Sequence, residues 1–277
     1  MRAYHFEGLY IDLRESTYRQ DPAISNSKLQ LIKKSPAHFL HYAQKSIKET
    51  QAMIFGRALH MALLEPERFE SEVLGVDAGR ASKSFKELIN VNKSNLVMTL
   101  DELQTINDMV FKINQNSTAQ SLLSNHYNLR EASIFFSRDD IRCKGRMDLF
   151  NRNDKFICDI KTTSDASPRG FMDSIKSYGY HQQAAFYIDG LKALGEEVDD
   201  FYFIAIEKTE PYAIGVYALD QDWVKAGRKE NQRLINIYKD CVEKRQWHSY
   251  TNQIEILECP KYLIEGSSEF TLGEERF

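Results

Sequence analysis

Two carboxylates and one ammonium stand close together within residues 143–163, CKGRMDLFNRNDKFICDIKTT. One apolar run carries Asp148, the next carries Asp159 and Lys161, and the turn-rich Asn151-Arg152-Asn153-Asp154 joins the two runs. This pattern predicts a β-hairpin that brings the three side chains to one place. Because side chains alternate between the faces of a strand, Asp159 and Lys161 are expected to point the same way.

The second run is apolar at residues 156–158 and at 160, which is typical of a strand covered on both faces. A charge on such a strand is costly unless it is paired or binds a metal. Two carboxylates beside an ammonium suit Mg²⁺, with Mn²⁺ as an alternative. The cation would polarise a phosphoryl oxygen and acidify a bound water, while Lys161 orients that water or neutralises charge in the transition state. An isolated Asp-x-Lys is more often a surface ion pair, but the preceding Gly145-Arg-Met-Asp148 and the covered strand favour a site.

A histidine lies on an apolar helix predicted over residues 52–64, which ends at Glu65-Pro66. His60 is four residues after Gly56 and shares its face. Because glycine costs helix stability, we expect a close backbone approach at Gly56. Such a histidine is more often a satisfied core residue, and the alternative is a metal ligand through neutral imidazole.

Two polar residues mark a later helix that starts after Gly179 and ends at Gly195. Gln183 and Tyr187 are four apart and share a face. They are either the polar edge of an amphipathic helix, or Gln183 lies near a metal-bound water or phosphate while Tyr187 holds the scissile strand. Glu131 begins a strand beside the one that carries the first carboxylate. We expect a solvent-facing strand end there, with membership of the acidic cluster as the alternative.

The composition excludes several classes of protein. The chain has 277 residues, 42% hydrophobic and 27% charged, without a repeat or low-complexity linker, which predicts one globular domain over 1–277. A net charge of −4 argues against a purely electrostatic DNA binder, so any DNA contact needs a local basic patch. Four cysteines without a Cys-x-x-Cys pair argue against a zinc or iron–sulfur site and fit a reduced cytoplasm. We expect no signal peptide and no membrane partner, since no long apolar segment is present.

Local signals predict the remaining elements. Ser25-Asn26-Ser27 and Ser35-Pro36 open two helices, and Thr99-x-x-Glu102 is a capping box for a helix to about Asn114. Residues 1–24 are expected to be an extended segment and loop, and residues 70–98 to be irregular. Further elements are a helix over 117–124, strands over 131–136, 200–208 and 212–219, and a helix over about 221–244.

Four motifs in chain order resemble the PD-(D/E)xK nuclease superfamily, in the branch of exodeoxyribonuclease VIII (RecE-type) and the RecB-like nuclease domains. They are Gly56-Arg-Ala-Leu-His60, Gly145-Arg-Met-Asp148, Asp159-Ile-Lys161-Thr162 and Gln183-Ala-Ala-Phe-Tyr187. The stretches SNSKLQLIKKSPAHFL, LLEPERF and YHQQAAFY also resemble this branch. Each motif is weak alone, but together they extend the resemblance over roughly residues 20–250.

The resemblance implies an α/β fold with a restriction-endonuclease-like core, a central mixed β-sheet flanked by helices. The helical N-terminal part would cover about 20–125, and the catalytic sheet with its helices about 129–245. It implies a divalent metal held by His60, Asp148, Asp159 and the carbonyl of Ile160. The catalytic residues would be Asp148, Asp159, Lys161, Gln183 and Tyr187.

The resemblance also implies an activity, namely digestion of linear double-stranded DNA from a 5′ end that leaves 3′ single-stranded tails for phage-type recombination. A ring-like homo-oligomer (trimer or tetramer) and a single-strand annealing partner are implied as well. Two alternatives stay open: a PD-(D/E)xK endonuclease of repair or restriction type, and a non-catalytic DNA-binding protein on the same fold. No helicase motor is expected, because no Gly-x-x-x-x-Gly-Lys-[Ser/Thr] loop is present. As a further hypothesis, basic residues line a DNA path: Arg57, Arg80, Lys83, Lys86, Lys144, Arg146 and Arg169. For the basic residues within 70–98, the alternative is an ordinary solvated face.

Overall fold

The computed structural model describes residues 5–43, 49–92, 96–261 and 263. The N-terminal half contains β1 (Gly8–Tyr10), α1 (Glu15–Gln20), α2 (Asn26–Lys34), α3 (Pro36–Ala43), α4 (Gln51–Leu64), α5 (Pro66–Glu72), β2 (Val73–Val76), α6 (Lys83–Val91), β3 (Leu96–Thr99), α7 (Leu100–Gln115) and α8 (Ser117–Ser124). The C-terminal half contains β4 (Asn128–Arg138), β5 (Ile141–Asn151), β6 (Phe156–Thr163), α9 (Pro168–Tyr178), α10 (Tyr180–Ala193), β7 (Asp200–Glu207), β8 (Ile214–Ala218) and α11 (Gln221–Lys244). In the described part of the chain, no helix is both long and apolar enough to cross a membrane.

Six strands form the central sheet in the order β1-β4-β5-β6-β7-β8. Strands β6 and β7 pair in parallel from Phe156↔Asp200 to Thr163↔Glu207, and the other neighbours are antiparallel. Strand β6 therefore lies inside the sheet, as its apolar composition predicts. The expected mixed sheet flanked by helices is confirmed.

The sheet separates two apolar cores, so the molecule has a helix–sheet–helix arrangement. On one face, Phe150 and Phe203 pack with residues of α2, α10 and α11. On the other face, Cys158 and Ile204 pack with residues of α4, α7 and α8. Strand β6 thus contacts helices on both sides, and any charged residue on it is removed from bulk water.

Local capping signals place the helix ends where the sequence predicts them. Ser25 accepts a hydrogen bond from the Lys28 N–H, and Thr99 and Glu102 form the complete capping box. Gly179 has φ +70, a left-handed conformation that favours glycine, and it separates α9 from α10. These features depend on neighbours in sequence, which is why they could be recognised without the fold.

Two regions differ from expectation. Residues 70–98 include the end of α5, all of β2 and α6 and most of β3, so the prediction of irregular structure is wrong for these elements, while residues 93–95 lie outside the described residues. Strands β2 and β3 pair in parallel from Val73↔Leu96 to Val76↔Thr99, and strands this short are recognisable chiefly through their pairing. Within residues 1–24, strand β1 was expected as an extended segment, but the six-residue helix α1 was not.

Candidate metal centre

The hairpin of β5 and β6 opens at the point where the first carboxylate lies. Ladder pairs run from Asn151↔Phe156 to Leu149↔Cys158 and then stop. Beyond them, Asp148 Oδ2 accepts a hydrogen bond from the Ile160 backbone N–H at 2.7 Å. The side chain therefore takes the place of a ladder carbonyl, and the two strands diverge around it.

His60 closes the same arrangement from helix α4. Its Nε2 lies 3.1 Å from the Ile160 carbonyl oxygen, and its Nδ1 lies 3.2 Å from Asp148 Oδ1. Both ring nitrogens therefore have polar partners, and these partners belong to the Gly145–Asp148 and Asp159–Thr162 motifs. This arrangement is compatible with a satisfied histidine and also places the ring where a metal ligand would lie. Both neighbours are acceptors, so without a metal the ring satisfies them only when both nitrogens carry protons.

Asp159 is the most buried acid of the centre, with 1% of its surface exposed. Lys161 forms an ion pair with its Oδ2, as the strand alternation predicts, and the Gln183 amide donates to its Oδ1 at 2.8 Å. The same amide also donates to the Tyr187 hydroxyl at 3.2 Å. Gln183 thus contacts a motif carboxylate and the tyrosine four residues along, which rules out a purely solvent-facing polar edge.

The glycine of the Gly-x-x-Asp motif makes room for this tyrosine. A Cβ at Gly145 would lie 2.9 Å from the Tyr187 ring and 3.3 Å from Ile134. The ring therefore packs directly on the backbone of β5. Sequence spacing could not show that these two motifs touch.

The charges of the centre shift one another's ionisation. The largest single effect on His60 is burial, which lowers the pKa of the imidazole. The charge of Asp148 and its hydrogen bond to the ring act in the opposite direction, and the net result is a pKa raised to about 9. Burial raises the pKa of Asp159 to about 6, although Lys161 opposes this shift. Burial also opposes ionisation of Asp148, yet the neighbouring His60 holds the pKa of that carboxyl below its usual value. Protons therefore supply positive charge where the acids converge.

Glu131 lies in this centre, which corrects the expectation of a solvent-facing strand end. One ligand atom each from His60, Glu131 and Asp148 lie within 4.8 Å of one another. Burial and the neighbouring Asp148 raise the pKa of Glu131 to about 7. Carboxylate oxygens with one imidazole form a donor set that fits a divalent cation such as Mg²⁺ or Mn²⁺.

The centre opens into a cleft of about 420 Å³. His60, Asp148, Glu131 and Tyr187 line it together with Gly56. A Cβ at Gly56 would meet no atom within 4 Å, so the expected close backbone approach is wrong. The space beside this glycine belongs to the cleft.

The seven basic residues expected along a DNA path fall into three groups. Arg57 and Arg146 line the cleft. Lys83, Lys86 and Arg169 are exposed on the surface. Arg80 and Lys144 lie outside this cleft and are also committed to structural contacts, and for these two reasons together we remove both from the candidate path. Arg57 and Arg146 have protein partners too, Glu49 and Ser133, but they stay in the path because they line the cleft.

The contacts of the two removed residues are specific. Arg80 donates to both carboxylate oxygens of Glu102, at 2.8 and 2.7 Å, and so supports the capping box of α7. Lys144 is only 3% exposed and donates to the backbone carbonyls of Tyr18 and Asp21, the latter at 2.7 Å. If either side chain turned to a phosphate, its buried or half-buried partner would lose its hydrogen bonds, which costs free energy.

Two further residues that reach the centre or its cleft were not among the predicted site residues. The Tyr180 ring lies 4.8 Å from Lys161 Nζ, a cation–π contact that helps hold the ammonium. Arg19 on α1 lines the cleft and pairs with Glu49 at 3.1 Å. Tyr180 stands in the quoted stretch YHQQAAFY, whereas the helix that carries Arg19 was not expected at all.

Comparison with known proteins agrees with this fold. The model of a family described as a PDDEXK-like domain of unknown function (DUF3799) matches residues 25–260. A crystal structure of a "Putative exonuclease" from Eubacterium rectale aligns with a TM-score of 0.64 at 11% identity, covering 94% of this chain and 100% of that one, which shows a shared fold.

A phage related exonuclease from Haemophilus somnus 129PT aligns at 14% identity over 68% of this chain and 94% of that one. Its TM-score of 0.34 is too low to carry an argument. No curated protein matches the chain.

Proposed function

Because this chain belongs to the family of PDDEXK-like domains, we propose that it is a metal-dependent nuclease that hydrolyses the phosphodiester bonds of linear double-stranded DNA. The observation that supports the proposal best is the meeting of His60, Asp148, Asp159 and Lys161 around the Ile160 backbone, beside an open cleft. A purely structural ion-pair cluster has no need of a cleft or of an imidazole between a carboxylate and a carbonyl.

The residues that would hold the cation are His60, Asp148, Asp159 and the carbonyl of Ile160. A bound divalent cation polarises a phosphoryl oxygen and makes its bound water more acidic. His60 must give up one ring proton to become a ligand. The positive charge that His60 would lose in this way would be replaced by that of the cation.

Other residues of the chain prepare the attack. Lys161 keeps a fixed positive charge beside Asp159, where it can orient the attacking water and stabilise the charge that develops on the phosphate. Gln183 holds Asp159 by one oxygen, and Tyr187 in turn accepts from Gln183. Because these groups are preorganised in a buried setting, they need little rearrangement during the reaction.

The finer features of the proposal rest on the RecE-type resemblance. They are 5′ to 3′ digestion of one strand, 3′ single-stranded tails, Mg²⁺ as the cation, a ring-like trimer or tetramer, and delivery of the tails to a single-strand annealing protein in recombination. Each is open to a separate measurement. Gel filtration with light scattering addresses the oligomer, and strand-specific end labels address the polarity.

Digestion of end-labelled linear duplex with Mg²⁺ tests the activity itself. We expect mononucleotides or short products from one strand, no reaction in EDTA, and an intact covalently closed circle. Cutting of the circle would support an endonuclease instead. DNA binding without cleavage, under any divalent cation, would support the non-catalytic alternative.

A further inference from the structure

Glu131 is placed directly opposite Asp148 by the register of β4 and β5. The pairs Arg130↔Leu149 and Ala132↔Met147 flank this position on both sides. Glu131 has φ +49, a left-handed conformation that a non-glycine residue rarely adopts inside a strand. A local irregularity of the backbone within a strand changes the direction in which the side chain points. Here it leaves the Glu131 carboxylate at the wall of the cleft.

The strand opposite is irregular at the same step. Met147 packs in the core on the α10 side of the sheet, whereas Leu149 packs in the core on the α4 side. Residues two apart on a regular strand share a face, so β5 changes orientation around Asp148. Both carboxylates therefore sit at a distortion shared by the two strands, and both face the helix that carries His60.

The partners of Glu131 leave its carboxylate available. Its contact with Arg146 Nη1 is 3.9 Å long. Arg146 makes closer contacts elsewhere, donating to Ser133 Oγ at 2.9 Å and to the carbonyl of Leu13. The carboxylates of Asp148 and Asp159 make closer contacts, accepting from the Ile160 N–H at 2.7 Å and from the Gln183 amide at 2.8 Å.

We propose that Glu131 is an additional ligand of the divalent cation held by His60 and Asp148. This inference rests on the proposed function, since it assumes that the centre binds a metal. The 4.8 Å limit on the distances among the three ligand atoms is close to what one cation spans, because oxygen and nitrogen ligands lie about 2.0–2.6 Å from such ions. The extra carboxylate adds a hard oxygen ligand and offsets the preference of imidazole for softer metals.

Titration with Mn²⁺, followed by the electron paramagnetic resonance signal of the free ion, tests the proposal without measuring cleavage. The variants are Glu131→Gln, Asp148→Asn and, as a matched control, Glu65→Gln. Glu65 lines the same cleft but forms an ion pair with Arg68. We expect Glu131→Gln to weaken Mn²⁺ binding at least about tenfold, because even the loss of a residue that only supports a metal ligand typically costs that much affinity. Glu65→Gln should leave Mn²⁺ binding unchanged.

A thermal measurement separates ligation from a structural role. In EDTA, Glu131→Gln should melt at or above the wild-type temperature, because it removes repulsion with Asp148. Addition of Mn²⁺ should raise the melting temperature of the wild type more than that of this variant. The reason is that an ion that binds the native state stabilises it, and the stabilisation grows with the affinity. Recovery of part of the Mn²⁺ affinity by Glu131→Asp would support ligation.

The possible failures are distinguishable. Wild-type Mn²⁺ affinity in Glu131→Gln together with lost affinity in Asp148→Asn would overturn this inference and leave the proposed function standing. Wild-type affinity in both variants would remove the metal centre, and with it the proposed function. A lower melting temperature of Glu131→Gln in EDTA, with unchanged Mn²⁺ affinity, would assign Glu131 a structural role.

Discussion

His60 Nε2 lies 3.1 Å from the carbonyl oxygen of Ile160, although 100 residues separate the two in the chain. The backbone of Ile160 thus contacts two motifs, because its N–H also donates to Asp148. This contact joins helix α4 to the hairpin of β5 and β6 at the point where the two strands diverge.

Replacing Lys161 with alanine should lower the cleavage rate by about 10²–10³, the usual cost of losing one preorganised charge in a transition state. Metal affinity should not fall, because the variant frees an oxygen of Asp159 that the ammonium now occupies. Single-turnover digestion and Mn²⁺ titration measure the two effects. Lys176→Ala is the control, since that exposed lysine pairs with its helix neighbour Asp173, away from the centre. Undiminished cleavage by Lys161→Ala would refute the catalytic assignment.

Replacing Gly56 with alanine should stabilise helix α4 by about 0.5–1 kcal/mol, because glycine costs that much in a helix interior. The new methyl group meets no protein atom but enters the cleft. We therefore expect a higher melting temperature together with a raised KM for DNA. Gly79→Ala, which also meets open space but lies outside that cleft, should leave KM unchanged. An unaltered KM in Gly56→Ala would show that substrate does not use this space.

Replacing Gly145 with alanine should displace the Tyr187 ring, which would lie 2.9 Å from the new Cβ. Overpacking of this kind costs about 1–3 kcal/mol, so urea unfolding should shift to lower concentration. Cleavage should also fall, because Tyr187 accepts from the amide that holds Asp159. A smaller side chain in the double variant Gly145→Ala/Tyr187→Leu should recover part of the stability but not the activity. Full activity in the double variant would mean that the tyrosine is dispensable.

Arg57 and Arg80 make a matched pair for the DNA path. Arg57→Ala should weaken duplex binding and reduce the slope of log affinity against log salt by about 1, as expected for one lost phosphate contact. Arg80→Ala should leave binding unchanged but lower stability, because Glu102 loses both of its guanidinium contacts. Fluorescence anisotropy in EDTA, from low to high salt, measures both. Equal salt slopes for wild type and Arg57→Ala would exclude Arg57 from the path.

The metal-free protein should lose stability as pH rises from about 5 to 9. Glu131, Asp159 and His60 have native pKa values of about 7, 6 and 9, each above its unfolded value. In this range the native state therefore binds more protons than the unfolded state, and the free energy of unfolding falls with pH. Melting curves in EDTA check the direction, and saturating Mn²⁺ should flatten the profile. Stability that rises with pH in EDTA would contradict the proposed charge arrangement.

Short-range rules determined much of the site in advance. Strand alternation put Asp159 and Lys161 on one face, and helical spacing put Gln183 and Tyr187 together, as the ion pair and the hydrogen bond between these pairs confirm. Capping residues set the ends of α2 and α7. These features depend on neighbours within a few residues, where backbone geometry leaves few choices.

Only the tertiary structure decided how the charged residues are used. The sequence alone predicts that Lys144 is a surface cation, yet this side chain is buried and donates to the carbonyl of Tyr18, 126 residues away. Glu131 reads as a strand end, yet the sheet register sets it opposite Asp148. The role of a long charged side chain depends on which distant backbone packs beside it, because burial and partners, rather than residue type, determine its electrostatic energy.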